Sequence, residues 1–452
     1  MLKKKNKNNI LLDEITNLKR GFDELNNKLL IYNKNITEQI NSMQNHINDL
    51  SNINNVLLND IKSELTFINP ETMTLDNNEK RIKVLLMGFY GAPNLGDELM
   101  LEVFVNKIKK NENIDLTVML SENKGFDITH YKGFKILHYP KSILDINIFA
   151  NYFDVIIVGG GALLDDNDYN SYINGLTFSN TIINLSMRMI AFNKKVILYG
   201  LSTASKFTDK NYIKKLDYII NNATYVSLRD TNSINKLKKY NIDTSRIKLV
   251  DDVVFSYDYS NFSHMTNKTF IKIAICYILN DKTINILKEN LNWITSYLKN
   301  KNIKYKIVLI PFYEYCNNDT IYYKNIIEDN FENIIISDYP YNYDDIKSLL
   351  VDVDYMISMR YHGTLLANLF GIQNINILYD VHSHYDNKMN YLYDNYHFIK
   401  NQILFSKLDK NNFLKSFETM LTKKNKAINK SYYIKSNSDI DHALSLIQKD
   451  KK

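Results

Sequence analysis

The sequence predicts an α/β protein in which an N-terminal α-helical coiled coil precedes two Rossmann-like domains. Three observations carry this prediction: an apolar repeat of three- and four-residue steps at the start, short apolar runs that alternate with helical patterns from residue 81 onward, and a polar stretch after which the alternation restarts. Several runs are almost continuously apolar, as in parallel strands buried on both faces. We therefore expect ligands in a cleft between the two domains, beyond the carboxyl ends of the strands.

The chain of 452 residues is too long for one hydrophobic core, and its composition suggests where it divides. Pro70 ends the helical start, and the stretch "SYDYSNFSHMTNKTF" separates the two series of strands. The predicted units are a coiled coil over 1–68, a linker over 69–81, an N-terminal Rossmann-like domain over 82–262, a C-terminal Rossmann-like domain over 263–405 and a C-terminal helical tail over 406–452.

The first 66 residues have the pattern of a coiled coil. From Leu11 to Ile36, apolar residues step by four and three, which is the seam of a left-handed supercoil. At Ile40 the apolar spacing shifts by an insertion of four residues, and such an insertion locally unwinds a supercoil. A polar Asn54 on the seam would fix the register. The repeat favours a homo-oligomer, and the alternative is a single helix packed on the rest of the protein.

Composition argues against several functional classes. A net charge of +6 without a basic stripe argues against nucleic acid as a partner. Cys276 and Cys316 have neither metal-ligand nor disulfide spacing, and no cluster of His, Cys and carboxylates predicts a metal or another cofactor. Charges interrupt any signal-peptide core, and no apolar run approaches the ~18 residues of a membrane span. We expect a cytoplasmic protein, with peripheral attachment at the inner face of the membrane as an alternative.

The first candidate loop is the strand-to-helix corner in "VLLMGFYGAPNLGDELM". It matches neither the Walker A motif nor the dinucleotide fingerprint, because Gly96 is followed by a carboxylate, Asp97. Asn94 and Asp97 are therefore candidate ligand-contacting residues at this strand end. The alternative for Asp97 is a helix residue favoured by the dipole alone.

Two further strand ends are candidates. In "VIIVGGGALLDD", the glycines around Gly160 close a buried strand and let backbone approach a ligand or another loop closely. In "YVSLRDTNS", Arg229 follows a strand and is a candidate substrate-binding residue. The alternative is an ordinary pair at a helix start, where Asp230 caps the helix.

The fourth strand end is the sharpest candidate site. Arg360 and His362 follow an apolar strand, and Gly363 and Thr364 open a helix. A helix N-terminus offers free N–H groups and a positive dipole end to an anion, arginine adds a planar fork, and histidine adds a group that can carry a proton. We expect an anion site here. The alternative is that His362 is a buried hydrogen-bonding residue and Arg360 an interdomain ion-pair partner.

Five segments in order, "GFYGAPNLGDELM", "VIIVGGGALLDD", "SLRDTNS", "DDVVFS" and "SMRYHGTLLANLFGIQNINILYD", resemble the motifs of the polysaccharide pyruvyl transferase family. The resemblance runs from about Lys83 to Asp380 and leaves the coil outside. It implies a GT-B-like two-domain fold and transfer of a pyruvyl group from phosphoenolpyruvate to a sugar diol. The product would be a pyruvate ketal on a cell-surface polysaccharide or its precursor, with phosphate released.

The resemblance also implies residue roles. The family's anion-binding Arg-x-His falls on Arg360 and His362, and its Arg-Asp step begins at Arg229. Family members often continue Tyr-Asp with a proline and a lysine near the donor. Here His382 stands in the place of that lysine and would act as a cation when protonated, and Lys388 is displaced in sequence.

The implied reaction requires few charged or proton-transferring groups. Phosphoenolpyruvate carries a phosphate and a carboxylate, which two arginines and a helix N-terminus would match. A ketal requires a proton on the methylene carbon and removal of protons from the acceptor hydroxyls, for which His362 is the candidate acid or base. Asp97 would take an acceptor proton or orient a sugar hydroxyl. The expected partners are phosphoenolpyruvate, a sugar or lipid-linked glycan, and further copies of the chain.

Two rival functions come from other classes. A GT-B glycosyltransferase that uses a nucleotide sugar would carry a ribose-binding glutamate where this chain has Leu366, which cannot accept hydrogen bonds. A non-catalytic scaffold, whose coiled coil assembles a glycan-synthesis complex, is compatible with the displaced lysine. Binding of phosphoenolpyruvate or of nucleotide sugars would separate the three.

Overall fold

The computed structural model describes most of the chain after residue 80. The described residues are 19–21, 36–37, 40–41, 44, 81–120, 134–167, 169, 176–203, 206–259, 262, 268–314, 318–327, 333–379, 383–396, 398–422 and 430–448. Those before residue 81 are helical, and the rest of the predicted coiled coil and its linker lie outside the described residues. Within the described residues, no helix is long and apolar enough to cross a lipid bilayer.

The N-terminal domain is built on a parallel sheet with seven described strands. The strands are β1 (Ile82–Met87), β2 (Ile114–Leu120), β3 (Lys135–His138), β4 (Val155–Leu164), β5 (Lys195–Thr203), β6 (Tyr225–Leu228) and β7 (Lys248–Leu249). They pair in the order β3-β2-β1-β4-β5-β6-β7. The central strands are buried along most of their length, which explains their nearly continuous apolar sequence.

Helices of this domain connect successive strands. They are α1 (Leu95–Ile108), α2 (Ile143–Tyr152), α3 (Phe178–Ala191), α4 (Lys210–Asn222) and α5 (Thr231–Lys239), followed by a 3₁₀ turn at Val253–Ser256. Local side chains start several of them: Ser142 and Asp145 form a capping box on α2. Asp230 caps α5 by accepting from the Ser233 N–H at 2.7 Å, as the alternative interpretation expected.

The C-terminal domain repeats this plan with six described strands. They are β8 (Ile271–Cys276), β9 (Tyr305–Leu309), β10 (Ile334–Ile336), β11 (Tyr355–Ser358), β12 (Gln373–Leu378) and β13 (Gln402–Leu404), in the parallel order β10-β9-β8-β11-β12-β13. The helices are α6 (Asp281–Asn300), α7 (Asp319–Ile327), α8 (Tyr343–Leu350), α9 (Tyr361–Leu369) and α10 (Ser383–Tyr396), and a 3₁₀ turn follows at Phe405–Lys407.

The predicted C-terminal tail contains two helices that pack on different domains. α11 (Lys410–Thr422) lies against β12 and α6 of the C-terminal domain. α12 (Lys430–Ser445) lies against the N-terminal domain, where Lys107 pairs with Asp441 at 2.6 Å and the Lys195 ammonium donates to the Leu446 carbonyl at 2.9 Å. The tail therefore returns to the first domain.

Both sheets have the Rossmann strand order, in which the winding direction reverses beside the first strand. The reversal lies between β1 and β4 in the N-terminal domain and between β8 and β11 in the C-terminal domain. Crevices outside the carboxyl ends of such strands are the usual ligand sites of open α/β sheets. The loops after β1, β4 and β11 are three of the four that the sequence analysis selected.

The two Rossmann-like domains contact each other at these loops. The Leu95 N–H donates to the Phe312 carbonyl at 3.0 Å, and the Glu314 N–H donates to the Pro93 carbonyl at 2.9 Å. Further along α1, a carboxylate oxygen of Glu102 accepts from the N–H of Tyr343, at the start of α8, at 2.9 Å. The loop after β1 is thus held directly to the loop after β9.

The predicted α/β class is confirmed, and apolar runs in the sequence coincide with ten of the thirteen described strands. β3, β7 and β13 were not predicted, because they are only four, two and three residues long and carry polar residues. The exact domain limits stay predictions.

Candidate active site

Asp97 lies at the switch point of the N-terminal domain, in the first turn of α1. The residue is 8% exposed, and its Oδ1 lies 3.4 Å from the position that a Cβ would take on Gly161. Gly161 has a φ of +94°, a backbone conformation that side chains disfavour. Asp97 therefore lies beside the glycines of β4. Among the described residues, no donor lies within hydrogen-bond distance of the Asp97 carboxylate.

Electrostatics make Asp97 a proton-exchanging group. Burial raises the pKa of Asp97 to about 7, although His362 and Arg229 act to lower it. A carboxyl that titrates near neutral pH suits general acid or base work. The neighbouring Glu98 differs, because its Oε1 accepts from the Gly91 N–H at 2.9 Å and so closes the corner of the loop.

His362 crosses the domain junction and lies directly on Gly96. A Cβ on Gly96 would come within 1.7 Å of the His362 Nδ1 atom, so a side chain at this position would displace the imidazole. The glycine beside Asp97 is thus required by the close approach of the second domain. This contact brings the two predicted catalytic residues, Asp97 and His362, to one place.

A buried aspartate connects His362 with Arg229. Asp252, next to the 3₁₀ turn, forms an ion pair with the Arg229 guanidinium, and its Oδ2 lies 3.7 Å from the His362 Nε2 atom. Burial would raise the pKa of Asp252, but Arg229 and His362 hold it well below its ordinary value. Asp252 is therefore a buried anion between the Arg229 guanidinium and the His362 imidazole.

Arg229 is held on several sides. Its Nε donates to the Ser202 hydroxyl at 3.3 Å, and its guanidinium lies 4.9 Å from the centre of the Tyr361 ring. The side chain is 5% exposed. Because Arg229 is buried and already paired, a role in positioning Asp252 fits this geometry better than a role in binding a ligand.

Arg360 forms the corresponding pair in the C-terminal domain. One of its terminal nitrogens, Nη2, lies 2.7 and 2.8 Å from the two carboxylate oxygens of Asp319, and its Nε donates to the Tyr277 carbonyl at 3.0 Å. The side chain is 16% exposed. The alternative interpretation of the sequence was that Arg360 is an interdomain ion-pair partner, but its partner Asp319 belongs to the same domain as Arg360.

The start of α9 provides backbone donors. The first intrahelical hydrogen bond of α9 runs from the Thr364 N–H to the Arg360 carbonyl, at 3.0 Å. The N–H groups of the three residues before Thr364 therefore have no acceptor within the helix. No side chain caps this helix at Arg360. Thr364 itself is fully buried, and its hydroxyl accepts from the Asn376 amide at 2.8 Å. Gly363 is buried against Cys276 and Ser358, so both predicted residues offer a ligand backbone groups at most.

Lys388 approaches the same cluster from α10. The helix contacts α5 and α9, and its last residue, Tyr396, donates to Asp251 of the N-terminal domain at 2.6 Å. Burial, together with nearby Arg229, lowers the pKa of Lys388 to about 7, against the opposite effect of Asp230 and Asp97. Lys388 is half-buried.

The remaining predicted residues have other surroundings. The Asn94 carbonyl accepts from the Asp97 and Glu98 N–H groups at 2.9 and 3.0 Å, and its backbone forms a bridge with Tyr313 across the domain junction. Gly160 has a φ of +70° and packs on Met100, so the neighbouring Gly161 is the glycine beside Asp97. His382 lies outside the described residues.

Sequence reasoning missed two aspartates of this cluster. Asp252 belongs to the quoted segment "DDVVFS", and a pair of acidic residues before a buried apolar run was the available signal. Asp319 follows no recognisable pattern. Both owe their importance to partners far away in sequence. In the described part of the chain, no three His, Cys, Asp or Glu side chains are grouped so that they could hold a metal ion.

Solved structures share the fold at low sequence identity. UDP-GlcNAc 2-epimerase from Methanocaldococcus jannaschii is 12% identical, with a TM-score of 0.52 over 80% of this chain and 99% of its own. MnaA of S. aureus, in a structure with UDP, is 8% identical, with a TM-score of 0.52 over 82% of this chain and 99% of its own. These similarities indicate a GT-B-like pair of domains and nothing about activity.

The family is shown by a sequence model. No curated protein matches the chain. A family model described as polysaccharide pyruvyl transferase matches residues 94–381, which include Asp97, Asp252 and His362. The chain therefore belongs to the polysaccharide pyruvyl transferase family.

Proposed function

We propose that this protein transfers the pyruvyl group of phosphoenolpyruvate to two hydroxyl groups of a sugar in a polysaccharide or its precursor, forming a cyclic ketal. The observation that carries this proposal is the contact of His362 with Gly96. It places a histidine, a carboxyl with a pKa of about 7 and an uncapped helix start together at the domain junction.

The donor anion belongs at the start of α9. The N–H groups at this helix start and the positive end of the helix dipole favour a phosphate or carboxylate. Arg360 is the more exposed of the two arginines, and its fork is already oriented by Asp319. We assign donor binding to Arg360 and to the backbone of His362 and Gly363, with Thr364 holding the helix start in place.

The reaction moves three protons. One acceptor hydroxyl loses its proton and adds its oxygen to C2 of phosphoenolpyruvate while C3 gains a proton. The second hydroxyl then loses its proton and displaces phosphate from C2, and the phosphate leaves as hydrogen phosphate with that proton. We assign removal of a hydroxyl proton to Asp97, which is partly ionised at neutral pH. We assign proton delivery to His362, whose imidazole is held beside Asp252. Arg229 positions Asp252.

The main rival, a nucleotide-sugar donor, receives no support from the chain itself. Leu366, in the place of the ribose-binding glutamate, is fully buried among apolar residues. UDP-GlcNAc is nevertheless the right competitor in a binding test, because it separates the two donor classes.

Calorimetric titration with phosphoenolpyruvate tests the proposal without knowledge of the acceptor. We expect binding to the wild type that Arg360→Met weakens roughly 10-fold or more, since a charge-assisted hydrogen bond is lost. The double variant Arg360→Met/Asp319→Asn repeats the loss without leaving a buried carboxylate unpaired. Arg188→Met, an exposed arginine on α3, is the control. Binding of UDP-GlcNAc without binding of phosphoenolpyruvate would indicate a glycosyltransferase. Binding of neither ligand would indicate a scaffold.

A further inference from the structure

Tyr313 lies in the loop that follows β9, at the junction of the two domains, and none of the five family segments includes it. Its backbone pairs with Asn94 in an antiparallel bridge, and the N–H of the next residue, Glu314, donates to the Pro93 carbonyl at 2.9 Å. The tyrosine is half-buried. Tyr313 is therefore held by its backbone against the loop that leads into α1.

The side chain of Tyr313 packs on Arg360. The guanidinium carbon of Arg360 lies over the tyrosine ring, 5.8 Å from the ring centre. This distance is within the reach of about 6 Å over which a guanidinium is attracted to the face of an aromatic ring. Such a contact restrains the guanidinium without directing its N–H groups at an oxygen acceptor, and those N–H groups are what a carboxylate or phosphate binds.

The backbone of Tyr313 also holds the carboxylate that pairs with Arg360. The Tyr313 N–H donates to the Asp319 Oδ2 atom at 3.0 Å, and the Asp319 N–H donates to the Tyr313 carbonyl at 2.8 Å. The same Oδ2 atom lies 2.8 Å from the Arg360 Nη2 atom. One residue thus contacts Arg360 through its ring and supports the ion-pair partner through its backbone, and the backbone contacts do not depend on the side chain.

We propose that Tyr313 is a positioning residue of the donor site, whose ring holds the Arg360 guanidinium in the orientation that receives the anionic part of the donor. Because the backbone here is hydrogen-bonded to the loop before α1, the contact between the domains fixes where the ring lies. The orientation of Arg360 is thereby coupled to the docking of the two domains. This inference rests on the proposed function, since it names a residue that acts through Arg360 at the same donor site.

Calorimetric titration with phosphoenolpyruvate tests the role of the ring without knowledge of the acceptor. Tyr313→Leu removes the ring and keeps the backbone hydrogen bonds, so we expect binding roughly 3- to 10-fold weaker than in the wild type. Tyr313→Phe keeps the aromatic face and should bind within about twofold of the wild type. Tyr218→Leu, at an exposed tyrosine on α4, is the control.

A double-mutant cycle with Arg360→Met distinguishes positioning from a general loosening of the loop. If the ring acts through Arg360, then Tyr313→Leu should weaken binding by less than about twofold once the guanidinium is absent. An equal loss in both backgrounds would overturn the inference, and so would a loss in Tyr313→Phe as large as that in Tyr313→Leu. Tyr313→Met also lacks the ring and replaces Tyr313→Leu in the cycle if that variant does not fold.

The outcomes separate this inference from the proposed function. Wild-type affinity in Tyr313→Leu would overturn the role of Tyr313 and leave the proposed function standing. Absence of any phosphoenolpyruvate binding to the wild type would remove the proposed function, and the inference with it.

Discussion

Each domain contributes one buried arginine–aspartate pair to the junction, and the two pairs differ in their electrostatics. In the N-terminal domain, Asp252 lies between the Arg229 guanidinium and the His362 imidazole, which outweigh the effect of burial and keep the pKa of the aspartate well below its ordinary value. In the C-terminal domain, burial raises the pKa of Asp319 in spite of Arg360 and two backbone N–H donors. Similar chemistry thus gives one carboxylate that is strongly held as an anion and one that is not.

This difference indicates a division of labour. A carboxylate whose charged form is stabilised fixes its partners, which suits a positioning role for Arg229. A carboxylate whose charged form is disfavoured competes weakly for its arginine, so a substrate anion can share Arg360 with Asp319. Exposure agrees, at 5% for the Arg229 side chain and 16% for that of Arg360.

The largest effect should come from His362→Gln. The variant removes the proposed proton donor but keeps a polar side chain of similar size against Gly96. We expect the rate of ketal formation to fall roughly 10²- to 10⁴-fold, as for lost general acid catalysis. Phosphoenolpyruvate affinity, measured by calorimetry, should change little, because Arg360 and the helix start remain. Retention of full turnover would exclude His362 from the chemistry.

The two aspartates should respond differently to removal of their charge. Asp252→Asn leaves Arg229 buried without its counter-ion and should lower the free energy of unfolding by about 3–5 kcal/mol at pH 7. Asp319→Asn should be at least about 1 kcal/mol less damaging, because the native state disfavours the charged form of Asp319. Urea unfolding of both variants measures the difference.

The contributions of the two aspartates to folding stability should also change with pH in opposite directions. The contribution of Asp252 is present above the ordinary aspartate pKa of about 3.9 and is lost as the pH falls below it, because the folded pKa is lowered. The contribution of Asp319 runs the other way and is lost as the pH rises, because its folded pKa is raised. Equal losses for the two variants at every pH would contradict the division of labour.

Gly96→Ala tests the contact between the domains. The added methyl group must push the His362 imidazole away, since its Cβ would lie 1.7 Å from the Nδ1 atom. We expect turnover to fall about as far as in His362→Gln, and the double variant to add little to either change. A conventional steady-state assay with Gly21→Ala as control measures this, because nothing lies within 4 Å of a Cβ on Gly21.

The smallest effect on stability should come from Asp97→Asn. The folded pKa of Asp97 is raised to about 7, so its ionisation weakens the native state as the pH rises from about 4 to about 7. The asparagine side chain cannot ionise, so the variant does not lose stability over this pH range. Its melting temperature should therefore exceed that of the wild type more at pH 8 than at pH 5, although the variant should be inactive. A melting-temperature difference that does not change with pH would argue against an ionisable, buried Asp97.

Much of the fold could be predicted because the central strands are buried on both faces and read as apolar runs. The short strands β3, β7 and β13 could not, since a few residues at a sheet edge carry little pattern. The helix start at Arg360 and His362 was found in the same way, from residue types that act locally. The partners Asp252 and Asp319 were not, because their meaning depends on contacts 23 and 41 residues away along the chain.

The domain junction is the donor site that we propose for this protein. A crystal structure with phosphoenolpyruvate tests this most directly. We predict that its phosphate or carboxylate lies against the N–H groups that open α9 and within hydrogen-bond distance of Arg360, with C2 and C3 facing His362 and Asp97. Phosphoenolpyruvate bound away from this junction, or UDP-GlcNAc occupying the start of α9 in its place, would show that the junction is not the donor site.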